Sequence, residues 1–254
     1  MESWFFWFTL IRNYPWSMYS VYSNPYRLMT ASSIQLVRLE TAPDLVDQVY
    51  RALRDAISDG SIAPGARLTQ EDIAQQLAVS RQPVLQALRL LKKDGFVQDA
   101  PGRGVQVTPL DPDQIAGLYQ VRGALDALAA RLAAQHRYQM DPQLIAEGRR
   151  AEQQGQFQAM IDADLAFHRA IYQGSQNPHI EPSAHQHWHH LRRVMGAVLQ
   201  SSRQRESLWD EHEAIAQAIA AGDGSRAAEL IEAHAREASR QLTTRLRDQL
   251  TTVG

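Results

Sequence analysis

The apolar positions between residues 43 and 79 predict two helices separated by a turn. From Pro43 to Asp59 the large apolar residues recur at every fourth position, which is typical of an amphipathic helix (Leu45, Val49, Leu53 and Ile57). Gly60 ends this helix. Thr69 lies three residues before Asp72 and resembles a capping box at the start of a second, shorter helix.

The segment SRQPVLQALRLLKK, residues 80–93, predicts a third helix with one apolar and one polar face. Ser80 can cap this helix, and Pro83 lies in its first turn, where a missing backbone N–H costs little. The apolar face comprises Val84, Ala87, Leu88 and Leu91. The opposite face comprises Arg81, Gln82, Leu85, Gln86, Arg89 and Lys92. Helix, turn and basic helix in this order predict a helix-turn-helix. Its recognition helix, residues 80–93, is predicted to enter the DNA major groove.

After Lys93 the pattern changes to two short strands. Asp94-Gly95 ends the helix, and FVQD and VQV then flank a PGRG turn, with Val105 and Val107 alternating as in a half-buried strand. Residues 37–108 are therefore predicted to form a winged helix-turn-helix of three helices and a two-stranded wing. Arg103 lies between Gly102 and Gly104 at the wing tip, where it can approach the minor groove closely.

Beyond Pro109 the apolar spacing is helical throughout. It predicts six helices, near 112–137, 142–157, 159–174, 183–201, 205–221 and 225–247. The fold class is therefore mainly α, with an N-terminal winged helix-turn-helix and an all-α effector bundle of six to seven helices over residues 109–248.

Composition limits the kind of partner. A net charge of -2 over 254 residues means that DNA must be bound through a local basic patch. The absence of cysteine excludes disulfides and thiolate metal sites, and favours a cytoplasmic protein.

Residues 1–36 are interpreted as an extension that is disordered or follows a mis-assigned start, with the alternative of a membrane-surface or docking segment. The apolar run from Trp4 to Ile11 is too short to span a bilayer, so no membrane association is expected.

One arginine interrupts an apolar helix face in the effector half. Arg122 falls in line with Ile115, Leu118, Leu125, Ala129 and Leu132. A buried arginine needs an anion. Two interpretations remain open at this point: an internal ion pair with Asp126 one turn on, or a clamp for the carboxylate of an effector.

Four further ionisable residues lie on apolar helix faces. Asp164 and His168 are four residues apart and share a face, and His212 and His234 each lie among apolar neighbours. Imidazole and carboxylate are ligands for divalent zinc, which we favour, and also for nickel or manganese. The spacing alone does not show that these helices converge.

The run HQHWHH, with His185, His187, His189 and His190, points in several directions and is interpreted as a crevice-lining or solvated surface, with a pH-sensitive or accessory ligand role as the alternative.

Several segments together resemble a known family. LRDAISDGSIAPGARLTQEDIAQQLAVSRQPVLQAL, with the later DGFV and GRGVQV, resembles the DNA-binding domain of GntR-family bacterial transcription regulators. LYQVRGALDALAARLAA, DADLAFHRAIYQGSQN and EHEAIAQAIAAGDGSRAAELIEAHAREA resemble the FCD effector domain of its FadR-like branch. The resemblance implies a metal held by Asp164, His168, His212 and His234, with Arg122 near a small organic acid.

The resemblance implies a homodimeric regulator, with repression favoured, that binds a near-palindromic operator on double-stranded DNA and responds to a small carboxylate effector. Arg81, Gln82 and Arg103 match contact positions, with Ser80, Arg89, Lys92, Lys93 and Gly104 as further expected DNA contacts. Leu85 and Gln86 depart from the family, which has arginine and glutamate there, so the operator sequence is not transferable. The alternatives are a metal sensor without an organic ligand and, from another class, a metal-dependent hydrolase, against which no convincing nucleophile is found.

Overall fold

The computed structural model describes residues 45–102, 104–199 and 208–253, and these form nine helices and three short strands. In chain order the elements are α1 (Leu45–Ser58), β1 (Arg67–Leu68), α2 (Gln70–Gln76), α3 (Arg81–Lys93), β2 (Val97–Asp99), β3 (Val105–Val107), α4 (Pro112–Gln135), α5 (Pro142–Gln153), α6 (Phe157–Gly174), α7 (Ile180–Leu199), α8 (Leu208–Ala221) and α9 (Gly224–Val253). The predicted fold class is confirmed. The predicted extension, residues 1–36, and Arg103 at the wing tip lie outside the described residues.

The N-terminal helices and strands enclose a hydrophobic core of their own. The apolar face predicted for α3 lies in this core, together with residues of α1, α2 and the sheet, among them Val49, Ile73, Phe96 and Val107. The three strands pair antiparallel in the order β1-β3-β2. The prediction of a two-stranded wing was therefore incomplete, because β1 has only two residues and so shows no alternation that a sequence pattern can reveal.

Helix starts agree with the sequence in one case and differ in another. Thr69 caps α2, its Oγ1 accepting from the backbone N–H of Asp72 at 3.2 Å. Ser80 occupies the N-cap position of α3 but makes no capping hydrogen bond through its side chain, so that prediction was wrong. The third residue of α3, Pro83, has no N–H and removes one of the two donors that an N-cap side chain normally accepts from.

The six C-terminal helices form the effector bundle around a second core. Small residues line the contact faces of α4 and α9, which allows the two helices to pack closely (Ala127, Ala130, Ala227, Ala228 and Ala235). Helix α9 continues to Val253, beyond the predicted boundary at 248, since no proline or glycine interrupts it. None of the helices within the described residues is long and apolar enough to cross a membrane.

Helix α7 carries the histidine run and contacts the DNA-binding domain. The ring of His190 stacks on Phe96 with centroids 4.3 Å apart and planes 11° apart. Nε2 of His190 lies 2.9 Å from the backbone oxygen of Asp94, and Arg193 donates to the backbone oxygen of Thr108 at 2.5 Å. The crevice-lining interpretation of the run therefore agrees with the contacts of His190.

The burial of His189, the neighbour of His190 at this junction, predicts that the stability of the protein depends on pH. Burial lowers the pKa of His189 from 6.5 to about 4, and Arg54 and His185 act in the same direction, whereas Asp55 opposes them. Phe96 packs edge-on against the ring, and neighbouring His190 adds a further small lowering. Because the unfolded chain takes up this proton first, stability is complete above pH 6.5 and falls as the pH drops from 6.5 towards about 4.

Thermal unfolding measured from about pH 7.5 to about pH 5 checks this expectation. His189→Gln should lose less melting temperature over this range than the wild type. His179→Gln, at an exposed histidine that precedes α7, should behave as the wild type. Equal pH dependence in His189→Gln and the wild type would contradict the prediction.

Candidate metal centre and DNA-binding surface

Three helices of the effector bundle bring the four predicted metal ligands together. Asp164 and His168 extend from α6, His212 from α8 and His234 from α9, and all four are buried. One ligand atom from each lies within 4.8 Å of all the others. His212 Nε2 is 3.3 Å from Asp164 Oδ1 and 3.4 Å from His234 Nε2. The convergence that spacing left open is thus present in the structure.

Two carboxylates behind the cluster orient its histidines. Nδ1 of His234 lies 3.0 Å from Glu211 Oε2, and Nδ1 of His168 lies 3.4 Å from Asp126 Oδ2. A carboxylate can only accept, so Glu211 fixes the hydrogen of His234 on Nδ1 and leaves the Nε2 lone pair facing the cluster. Carboxylates placed in this way are typical of histidines that ligate metals.

Burial favours the neutral form of two of the cluster histidines, His168 and His234. It lowers the pKa of His168 well below 6.5, with the positive charge of Arg122 adding to the effect, and it also lowers the pKa of His234. A neutral imidazole offers the lone pair that a cation needs. Three imidazoles and one carboxylate form a nitrogen and oxygen donor set that fits zinc, and nickel or manganese as well.

Arg122 contacts both the cluster and its supporting carboxylate. Its Nε donates to Asp126 Oδ2 at 2.9 Å, and its Nη2 lies 2.7 Å from His168 Nε2. The internal ion pair considered from the sequence is therefore present. The third nitrogen, Nη1, is buried and has no hydrogen-bond partner among the described residues.

A cavity of about 60 Å³ opens beside the cluster. Its polar end includes Arg122, Asp164, His234 and Tyr119, whose hydroxyl is also buried without a partner among the described residues. The remaining lining is mostly apolar and comprises Met160, Ile161, Met195, Leu208, Ala238 and Leu242. Two polar residues of α9, Gln241 and Arg245, complete it. This arrangement can accept an anion at one end and an apolar body along the walls.

The predicted DNA-binding face of α3 is largely exposed. Side chains of Arg81, Gln82, Arg89, Lys92 and Lys93 reach solvent, as does Ser80, whereas Leu85 and Gln86 are half-buried. Gly104 is exposed with a φ of +95°, and a Cβ there would lie 3.1 Å from the backbone oxygen of Leu68. The wing therefore requires glycine at 104 for its conformation.

Two of these basic residues form ion pairs within the domain. Arg81 Nη2 lies 2.8 Å from Glu71 Oε1, and Lys92 Nζ lies 2.6 Å from Asp99 Oδ2. All four side chains are exposed, so each pair contributes little to stability. Both cations remain accessible to phosphates or bases.

Comparison with family models identifies both halves of the chain. The model for bacterial regulatory proteins of the gntR family matches residues 45–107, and the FCD domain model matches residues 117–237. The chain belongs to the GntR family of transcription regulators. Proteins of this family regulate transcription through DNA binding and are not enzymes, so the hydrolase alternative was wrong.

Other members resemble this GntR-family regulator over half of its length or more. It is 28% identical over 210 residues to the HTH-type transcriptional regulator LutR of Bacillus subtilis, covering 70% of this chain and 92% of LutR. It is 32% identical over 131 residues to the transcriptional repressor RspR of Escherichia coli, covering 50% of this chain and 57% of RspR. The crystal structure of a putative GntR regulator from Rhodococcus sp. RHA1 superposes with a TM-score of 0.65 at 26% identity, covering 78% of this chain and 96% of that one.

Sequence reasoning missed several residues that support the GntR regulator's metal cluster. Glu211 directly precedes a candidate ligand, and its neighbourhood to His212 was the only available signal. Trp188 lies inside the histidine run, and its position there does not indicate a contact with the cluster. Tyr172, whose hydroxyl donates to Asp126 at 2.5 Å, shares its helix face with His168, and a tyrosine among apolar residues does not by itself indicate a polar contact.

The ion pair between Glu71 and Arg81 predicts how a substitution changes DNA binding. Glu71→Gln removes a negative charge beside the DNA-facing surface and releases Arg81. We expect DNA to bind about 3- to 10-fold more tightly at low salt, with the gain shrinking at high salt because the effect is electrostatic. Fluorescence anisotropy with a labelled duplex measures it. Glu232→Gln, at an exposed glutamate of α9, is the matched control; an unchanged affinity in Glu71→Gln would contradict the expectation.

Proposed function

We propose that this chain is a homodimeric repressor whose release from a near-palindromic operator is controlled by a small carboxylate bound at a metal centre. The observation that carries the proposal is the cluster of Asp164, His168, His212 and His234 beside Arg122, whose Nη1 lacks a partner among the described residues. Metal and arginine together suit a carboxylate, which can coordinate the metal through one oxygen and accept from Nη1.

The DNA-binding domain would place α3 of each subunit in one half-site. Arg81 and Gln82 read bases near the start of the helix, and Leu85 and Gln86 replace a charged pair, so that Leu85 can contact a thymine methyl group. Phosphates are held mainly by the remaining polar residues of this surface (Ser80, Arg89, Lys92, Lys93, Arg103 and Gly104). Repression is supported by the name of the relative RspR, a transcriptional repressor.

The division into two domains proposed from the sequence, 37–108 and 109–248, is supported by the two hydrophobic cores and the two family matches, although α9 continues to Val253. An effector acts on this arrangement only if it binds one domain arrangement better than the other. The apolar cavity walls favour an acid with an apolar body.

A thermal-shift screen of small carboxylic acids on zinc-loaded protein tests the effector site. At least one acid should raise the melting temperature beyond the effect of zinc alone and release the protein from DNA. Arg122→Lys retains a charge for Asp126 but loses the planar fork, so the affinity for that acid should fall about 10-fold. Stabilisation by zinc with no response to any acid would favour the metal sensor without an organic ligand.

Arg81→Ala tests the recognition helix. If Arg81 reads a base, its removal should cost about 1 to 3 kcal/mol of discrimination between the operator and a scrambled duplex. Arg150→Ala, at an exposed arginine of α5, should leave this discrimination unchanged. Intact specificity in Arg81→Ala would remove the assignment of α3 as the reading helix.

A further inference from the structure

Helix α7 contacts the metal cluster through Trp188. The indole Nε1 of Trp188 donates to the hydroxyl of Tyr172 at 3.1 Å, and the guanidinium carbon of Arg122 lies 4.1 Å from the centre of the indole. The His168 ring is 5.1 Å away. Trp188 is buried, so it responds directly to the position of these neighbours.

Two residues further along, the same helix contacts the DNA-binding domain. His190 stacks on Phe96 and approaches the backbone of Asp94, the residue that follows α3. Phe96 is tied to α3 in turn, because its N–H donates to the backbone oxygen of Leu91 at 2.8 Å. The cluster and the end of the recognition helix are therefore linked by consecutive contacts of a single helix.

A metal ion at the cluster would compete with Arg122 for one nitrogen of His168. Arginine only donates, so its Nη2 uses the lone pair on His168 Nε2 at 2.7 Å. A metal ion ligated by His168 needs that same lone pair. The two contacts would exclude one another, so a metal held by His168 would displace the Arg122 guanidinium from its position over Trp188.

We propose that α7 couples the metal cluster to the DNA-binding domain, with Trp188 reporting the position of Arg122 and His190 transmitting it to Phe96 and α3. The proposal rests on the metal site of the proposed function. It requires two states that differ in named contacts, and the competition for His168 Nε2 supplies that difference.

Hydrogen exchange of the full-length protein with and without equimolar zinc tests the coupling. In the wild type, zinc should slow exchange about fivefold in peptides from residues 164–172 and alter it by a similar factor in peptides from residues 94–108. In His190→Ala the response at 164–172 should remain while the response at 94–108 falls to less than half.

Two further variants separate coupling from damage to the fold. His190→Phe keeps a ring on Phe96 and should retain most of the response at 94–108. His179→Ala replaces an exposed histidine outside the junction and should match the wild type at both segments.

The outcomes distinguish the two proposals. A zinc response confined to 164–172 in the wild type, or a full response at 94–108 in His190→Ala, overturns the coupling and leaves the metal site standing. No response to zinc at either segment overturns both.

Discussion

His212→Gln is expected to abolish zinc binding and the stabilisation that zinc brings. His212 Nε2 lies 3.3 Å from Asp164 and 3.4 Å from His234, so its loss removes the imidazole that stands between these two groups and leaves two imidazoles and one carboxylate. Free zinc at about 100-fold above its dissociation constant stabilises a protein that binds it in the folded state by about 2.7 kcal/mol. We expect that gain in the wild type and none in the variant, measured by thermal unfolding and by metal analysis of the purified protein.

Two variants complete this experiment. His136→Gln replaces an exposed histidine that follows α4 and should bind zinc as the wild type does. Glu211→Gln removes the carboxylate that orients His234, and zinc affinity should fall about 10- to 100-fold. If His212→Gln retained a full equivalent of metal, the cluster would not be the binding site.

Gly148→Ala is expected to destabilise the effector bundle by about 3 kcal/mol, which is at the upper end for overpacking. A Cβ at this position of α5 would lie 2.0 Å from Cζ2 of Trp209, a fully buried residue. The indole cannot retreat without disturbing His212, whose ring it contacts edge-on with centroids 4.7 Å apart. Zinc affinity should therefore fall together with the urea midpoint.

The matched control is Gly196→Ala in α7. No atom lies within 4 Å of a Cβ added there, so the change should be neutral or stabilise by up to about 1 kcal/mol through helix propensity. A Gly148→Ala variant with the midpoint and zinc affinity of the wild type would show that Trp209 repacks freely.

The four candidate metal ligands were easier to predict from the sequence than the residues around them. Each of the four interrupts an apolar face, and a polar residue in such a position is detectable within a single helix. The angles at which α6, α8 and α9 cross depend on the packing of whole helix faces, so convergence needed the structure. The supporting role of Glu211 depends on a contact between α8 and α9, and its only signal in the sequence was its position next to His212.

Two local features, the cap of α3 and strand β1, differ from what the sequence predicts. Ser80 has the side chain and position of an N-cap, but Pro83 removes one of the two donors that make such a cap effective. Strand β1 consists of Arg67 and Leu68 and exists through pairing with β3, so it has no period of its own. The Ser80 cap is thus limited by a proline three residues on, whereas β1 is decided by a contact formed only in the folded chain.

The short connection from β3 to α4 also limits how this regulator can be engineered. Thr108 donates to the backbone oxygen of Phe96 at 3.0 Å and accepts from Arg193, so the connection is fixed on both sides. A biosensor made by grafting another DNA-binding domain at Thr108 would place Arg193 and His190 against a foreign backbone. Residues 189–193 of α7 should therefore be redesigned together with the new domain. Otherwise the side chains of α7 would lack the contacts that they make with the native domain.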